Sequence, residues 1–221
     1  PNPGWVEFDT EDQWSKVFEV LKKVNNDPAV KKDPVTALSV STVGESFTPI
    51  DADGKILYNT IYSTDARSSK EVDLILEKYS PVELFEITGY PPGYICALNK
   101  IIWVKKYPPD IYKKTKKLLF TEDLLFHKLG IEKPKISHAL ASRTLFFDVR
   151  DKVWRKDILD SFDIDSGLFS TPSPSAVEIG FIDNKIAEEL GFQKNVSVVT
   201  GSHDQPCAAL GVGAVRGGIA A

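Results

Sequence analysis

The chain has 221 residues, 42% hydrophobic and 26% charged, with a net charge of −4 and a pI near 5.5. That length holds one large core or two small ones, and the acidic balance argues against a nucleic-acid or anionic membrane surface as partner. The apolar runs are too short to span a bilayer and no charged-then-apolar leader is read, so a cytoplasmic protein with no membrane partner is expected.

Asp9 to Gln13 opens a helix, with Thr10 and Gln13 at capping-box spacing. Trp14, Val17, Phe18, Leu21 and Val24 follow at helical period as one buried stripe, and Asn25 to Pro28 ends it. Val35 to Val40 reads as a buried strand. Phe47 to Ile50, the turn Asp51-Ala52-Asp53-Gly54 and Ile56 to Tyr58 read as a hairpin. Helices are expected over Lys70–Lys78, Leu98–Lys105 and Pro109–Lys117, with Lys113, Lys114, Lys116 and Lys117 on a solvated face.

Phe120 to Leu129 reads as a helix capped by Gly130, followed by another over Lys156 to Phe162. Ser170 to Ser175 reads as a loop. Ile186 to Leu190 is helical up to Gly191, and Val196 to Val199 is the last strand. Alternating strands and helices favour an α/β sheet with helical insertions. Cys96 and Cys207 lack CxxC spacing and read as two buried thiols, neither a disulfide scaffold nor a metal site. The chain contains no Met, and both ends read as cut from a longer pattern.

Chemistry concentrates at Ser202-His203-Asp204-Gln205-Pro206. Three consecutive residues cannot converge as a Ser-His-Asp triad, and the G-x-S-x-G elbow of a hydrolase is absent. Instead Gly201 turns the chain at the end of a strand, and Pro206 suits the first helical position. Asp204 and Gln205 therefore stand where open α/β sheets bind ligands. A carboxylate there is either a helix cap or a base that accepts a hydroxyl proton during phosphoryl transfer; the local sequence leaves both open.

Thr200 to Gly213 resembles the Gly-Gly/His-Asp-Gln…Ala-Ala…Gly motif of the FGGY carbohydrate kinases, a family that includes xylulokinase, gluconokinase and glycerol kinase. Colinear stretches strengthen the likeness. Gly4-Trp5-Val6-Glu7-Phe8-Asp9 with Trp14, Pro49 to Leu57, Asp65-Ala66-Arg67 and Thr88-Gly89-Tyr90-Pro91 are similar to family landmarks. So are Lys100 to Trp103, Asp123-Leu124-Leu125 and Ala141 to Asp148 with Trp154.

The resemblance implies a ribonuclease-H-like, actin-like ATPase domain: a mixed sheet with flanking helices and helical insertions, incomplete at both ends. Residues 1–221 would form most of an N-terminal sugar-binding domain. The first phosphate-binding hairpin and the ATP-binding domain would lie outside them. It implies ATP-dependent phosphorylation of a sugar or sugar-acid hydroxyl with ATP and Mg²⁺, a small-molecule sugar partner, no nucleic acid, and room for a homodimer. The fragment alone would be inactive, with no cofactor- or metal-binding residues of its own.

Carried over by motif, Asp204 is the general base and Gln205, His203, Asp65, Gly44 and Glu45 are substrate-binding. Asp65 is alternatively a cap for the helix near Ser69. Arg67, Arg143 and Thr144 read as structural. Gly44 stands where glycerol kinases carry Arg, which favours a larger sugar or sugar acid. Two departures stand out: Tyr62-Ser63-Thr64 replaces the Trp expected before Asp65, and His203 replaces a Gly found in many members. The alternatives are an inactive sugar-binding relative and a glycerol or polyol kinase.

Overall fold

Asp9, in an extended conformation, accepts the Asp12 N–H at 3.0 Å, and the first long helix starts behind it. The cap is thus Asp9. Thr10 is buried inside the helix, its hydroxyl 3.0 Å from that of Thr60. The structure, a computed structural model, describes residues 2–218.

Its first half contains β1 (Glu7–Phe8), α1 (Thr10–Asn25), α2 (Pro28–Lys32), β2 (Ala37–Leu38), β3 (Ser41–Thr42), β4 (Phe47–Ile50) and β5 (Thr60–Ile61). A helical insertion follows: α3 (Glu71–Leu76), α4 (Pro81–Thr88), α5 (Ala97–Lys106) and α6 (Pro109–Lys114). Then come β6 (Lys117–Phe120), α7 (Thr121–Lys128), β7 (Lys135–Ser137), α8 (His138–Ala141), β8 (Phe147–Asp148), β9 (Val153–Trp154) and α9 (Lys156–Asp160). The chain continues through β10 (Thr171–Ser173), β11 (Glu178–Phe181), α10 (Asn184–Leu190), β12 (Ser197–Val199), β13 (Ser202–His203) and α11 (Asp204–Gly211).

The strands form a mixed α/β architecture. An antiparallel sheet runs β1-β5-β4-β6, and β11-β12-β2 mixes antiparallel with parallel pairing. β13 pairs with β3 in parallel, continuing the β12–β2 ladder after a one-residue slip. Gly201 makes that slip possible: a Cβ there would lie 1.8 Å from the Val40 carbonyl oxygen. Two apolar clusters flank the strands. One gathers the helical insertion around Leu98, Ile101, Phe146 and Phe147; the other joins Trp14, Phe126, Leu190 and Val198.

Several expectations need correction. Val35–Val40 holds one short strand, β2, with partly exposed residues, because β2 is an edge strand paired only with β12. Pro109–Lys117 is helical only to Lys114; Lys117 begins β6, which pairs with β4 and is buried from Leu118 onward. Accordingly Phe120 belongs to that strand, and its helix starts at Thr121. Ser170–Ser175 contains β10, paired in parallel with β7. Val24 lies outside the buried stripe, and Cys207 is half-buried while Cys96 is fully buried. The sequence reading omitted α4, although Ser80 as cap, Pro81 in the first turn and left-handed Gly89 mark both its ends.

Candidate active site

β13 ends at His203 and α11 begins at Asp204, so the strand delivers its last side chains straight into a helix start. The cap is His203: its Nδ1 accepts the Gln205 N–H at 3.4 Å. The Asp204 carboxylate is thus not the cap of α11. His203 Nδ1 lies 3.0 Å from Asp204 Oδ1, yet that buried oxygen has no hydrogen-bond partner among the described residues. Burial pushes the imidazole below its ordinary value. Asp204 and Glu45 pull it up and Arg143 pushes it further down, with the net shift downward. At neutral pH His203 is therefore an uncharged neighbour, and Oδ1 keeps a lone pair free.

Asp204 lines a cavity of about 390 Å³ with Ser41, Thr42, Val43, Ser46 and Tyr62. Ser46 is almost completely buried, and among the described residues its hydroxyl also lacks a partner. Two unpartnered polar atoms thus belong to residues that line one cavity. Sequence reasoning passed over Ser46, because a single Ser beside a buried strand carries no pattern.

Behind this wall, Glu45 is 3% exposed and its Oε1 accepts Arg143 Nε at 2.6 Å. The Arg143 guanidinium stacks over the Tyr90 ring, 3.7 Å from its centroid, and donates through Nη2 to the Tyr90 hydroxyl. Gly44 touches both partners: a Cβ there would meet Arg143 Cγ at 2.5 Å and His203 Cδ2 at 3.3 Å. Gly44, Glu45, His203 and Asp204 are therefore gathered at neighbouring strand ends, and Gln205 is exposed on the first turn of α11. Of these five, Asp204 lines the cavity.

Asp65 stands apart. Its Oδ1 accepts the Arg67 N–H and Nε, and its Oδ2 accepts the Val6 N–H and Arg67 Nη2. Those four donors fill the acceptor capacity of a carboxylate, so none remains for a sugar hydroxyl. Arg67 is held further by Glu7 at 2.7 Å and by stacking on Trp5 at 3.9 Å. The arrangement is a buried structural clamp, as expected for Arg67 but not for Asp65. The Asp65 cap reading fails too: the following helix has no side-chain cap.

The model described as "FGGY family of carbohydrate kinases, N-terminal domain" matches residues 1–211. The chain belongs to the FGGY family. It is 28% identical over 214 residues to a xylulose kinase of Staphylococcus xylosus, covering 96% of this chain and 44% of that protein. To a glycerol kinase of Thermococcus kodakarensis it is 27% identical, covering 99% of this chain and 44% of the relative. A crystal structure of xylulose kinase from Rhodospirillum rubrum superposes with a TM-score of 0.92 at 19% identity, over 99% of this chain and 44% of the other.

The FGGY fold is thus shared, and the chain spans less than half the length of these relatives. Among the described residues no group of three or more His, Cys, Asp or Glu side chains could hold a metal ion. No described helix is long and apolar enough to cross a membrane.

Proposed function

We propose that the protein carrying this domain transfers the γ-phosphoryl group of ATP to a hydroxyl of a sugar or small polyol, with Asp204 as general base. The hydroxyl oxygen forms the new bond to phosphorus, the bond to the ADP leaving oxygen breaks, and the hydroxyl proton passes to Asp204. Mg²⁺ enters with the nucleotide and screens its phosphate charges. Glu45, Gln205 and His203 belong to the sugar side of the site, and the Ser46 hydroxyl is a further hydrogen-bonding group in its wall.

One observation carries this reading: Asp204 Oδ1 is buried, has no hydrogen-bond partner among the described residues, and belongs to a cavity-lining residue at a helix start that His203 caps. A carboxylate so arranged can take a proton without first giving up a hydrogen bond. Asp204→Asn in the protein as encoded by its gene should lower kcat about 10²- to 10⁴-fold while sugar binding persists. The assay is ADP release with D-xylulose, D-gluconate and glycerol; undiminished turnover removes Asp204 from the chemistry.

A further inference from the structure

Glu122 is a carboxylate without exposed surface in the first turn of α7, and the reaction proposed above does not use it. Each of its oxygens takes one backbone N–H. Oε1 accepts the Gly201 N–H at 2.6 Å, and Oε2 accepts the Ser137 N–H at 2.6 Å. Segments distant in sequence thus meet on one side chain: the start of α7, the junction of β7 with α8, and the junction of β12 with β13.

The bond to Gly201 has a definite cause. On either side of it, the Thr200 N–H donates to the Val177 carbonyl and the Ser202 N–H to that of Val40. Gly201 itself stands at the one-residue slip between the two parallel ladders, and its N–H reaches no backbone acceptor among the described residues. A buried N–H without a partner is strongly unfavourable, and Glu122 supplies the partner. Burial raises the Glu122 carboxyl above its ordinary value of 4.5, while the Ser137 and Gly201 N–H groups draw it down. An apolar side chain would escape the burial penalty but leave both donors orphaned.

Position gives that bond its reach. Only β13 separates Gly201 from Asp204, and β13 pairs with β3 through Ser202 and His203 alone. So short a ladder fixes the start of α11 weakly unless its entry is held as well. Ser137, the other donor, precedes α8, which packs beside β13. Thr121, next to Glu122 in the chain, lines the same cavity as Asp204. Both oxygens of Glu122 therefore fix backbone that borders the Asp204 site.

We infer that Glu122 is a positioning residue for Asp204: by holding the Gly201 and Ser137 N–H groups together, it sets where β13 ends and so where the Asp204 carboxylate stands. Glu122 does not line the cavity and acts through the backbone. For its effect on turnover the inference rests on the kinase reading above, which it deepens.

The test uses the protein as encoded by its gene and Glu122→Gln, which keeps the size but turns an NH₂ group toward one of the two donors. Amide hydrogen exchange at Gly201, Ser137 or both should quicken about 10-fold, while the α5 amides keep their wild-type rates. In ADP release with D-xylulose, D-gluconate and glycerol, kcat should fall about 10- to 10²-fold with KM held within about 3-fold. In the Asp204→Asn background the same substitution should cost less than about 2-fold, since no base remains to be misplaced. A merely structural role would multiply the two losses. Glu122→Asp keeps the charge but shortens the reach, and decides the matter if thermal unfolding shows that Glu122→Gln fails to fold.

Wild-type exchange rates at both amides, or full multiplication of the two kcat losses, overturns the inference. Undiminished turnover in Asp204→Asn alone, or no turnover by wild type on any probe, counts instead against the kinase reading. The exchange rates then still decide whether Glu122 anchors the strand end.

Discussion

Asp65 and Arg67 form an ion pair in which neither side chain has exposed surface, with Arg67 Nη2 2.8 Å from Asp65 Oδ2. The pair fastens the loop after β5 to the segment leading into β1, through the Val6 N–H and Glu7. Burial works against the Asp65 charge, but hydrogen bonds from Arg67 and Val6 outweigh it and hold the carboxyl below its ordinary value of 3.8.

Removing one partner strands the other. Arg67→Ala should destabilise the fold by about 3–5 kcal/mol in denaturant unfolding. Because the folded value is depressed, the stability that Asp65 contributes is present above the ordinary Asp value and lost as pH falls through the lower one. Arg67→Ala should weaken that acid dependence as well as lower the plateau. A change below about 1 kcal/mol would mean the clamp is dispensable.

Asp123 presents the opposite case. It is fully buried in the first turn of α7, and neither oxygen has a hydrogen-bond partner among the described residues. Burial drives its carboxyl far above the ordinary Asp value, so the folded chain keeps a proton that the unfolded chain releases. Stability should therefore fall as pH rises from the ordinary Asp value toward the raised one. Asp123→Leu, close in volume and apolar, should stabilise the protein by about 1–3 kcal/mol at neutral pH and flatten that slope. Thermal melts across pH 4 to 8, to be compared at about unit intervals, are the check.

His203 links acidity to the chemistry proposed for Asp204. On protonation its Nδ1, 3.0 Å from Asp204 Oδ1, becomes a charged neighbour that lowers the basicity of that oxygen. The groups facing it are Asp204, Glu45 and Arg143, and its folded value lies below the ordinary 6.5. Turnover at saturating sugar should fall on the acid side as pH drops through that value. His203→Gln should carry the acid limb further down. An acid limb that stays in place assigns it to another group.

Gly201 gives a purely steric test. A Cβ at this position meets the Val40 carbonyl oxygen at 1.8 Å, and that atom belongs to the backbone. Gly201→Ala should cost about 1–3 kcal/mol or more and disturb the β3–β13 pairing that delivers Asp204. Equal loss of stability and sugar binding is the expected signature, followed by denaturant unfolding and calorimetry with D-xylulose.

Much of this was legible in the sequence where the signal is local. Gly191 marks the end of α10 because a left-handed residue there needs no side chain, and Pro206 marks the helix that follows β13. Gly44, Glu45, His203 and Asp204, picked out by a colinear family pattern, come together at neighbouring strand ends. What failed was non-local. Ser170–Ser175 looks like a loop until Lys135–Ser137 arrives beside it, and Lys117 looks helical until β4 claims it. Asp65 matched a motif, but its neighbours Val6 and Arg67 had already filled its oxygens. The weight borne by Arg143 was hidden for the same reason: its partners Glu45 and Tyr90 come from distant segments.

The one-residue slip between β12–β2 and β13–β3 has a consequence for how this segment can vary. Side chains alternate faces along a strand, so adding or deleting one residue between Val196 and His203 would reverse which face His203 presents. The residue that opens α11 and lines the cavity would then leave the strand on the other face. The segment is constrained in count as well as in its buried letters: a conservative apolar exchange at Val196 or Val198 keeps the register, whereas an insertion or deletion does not.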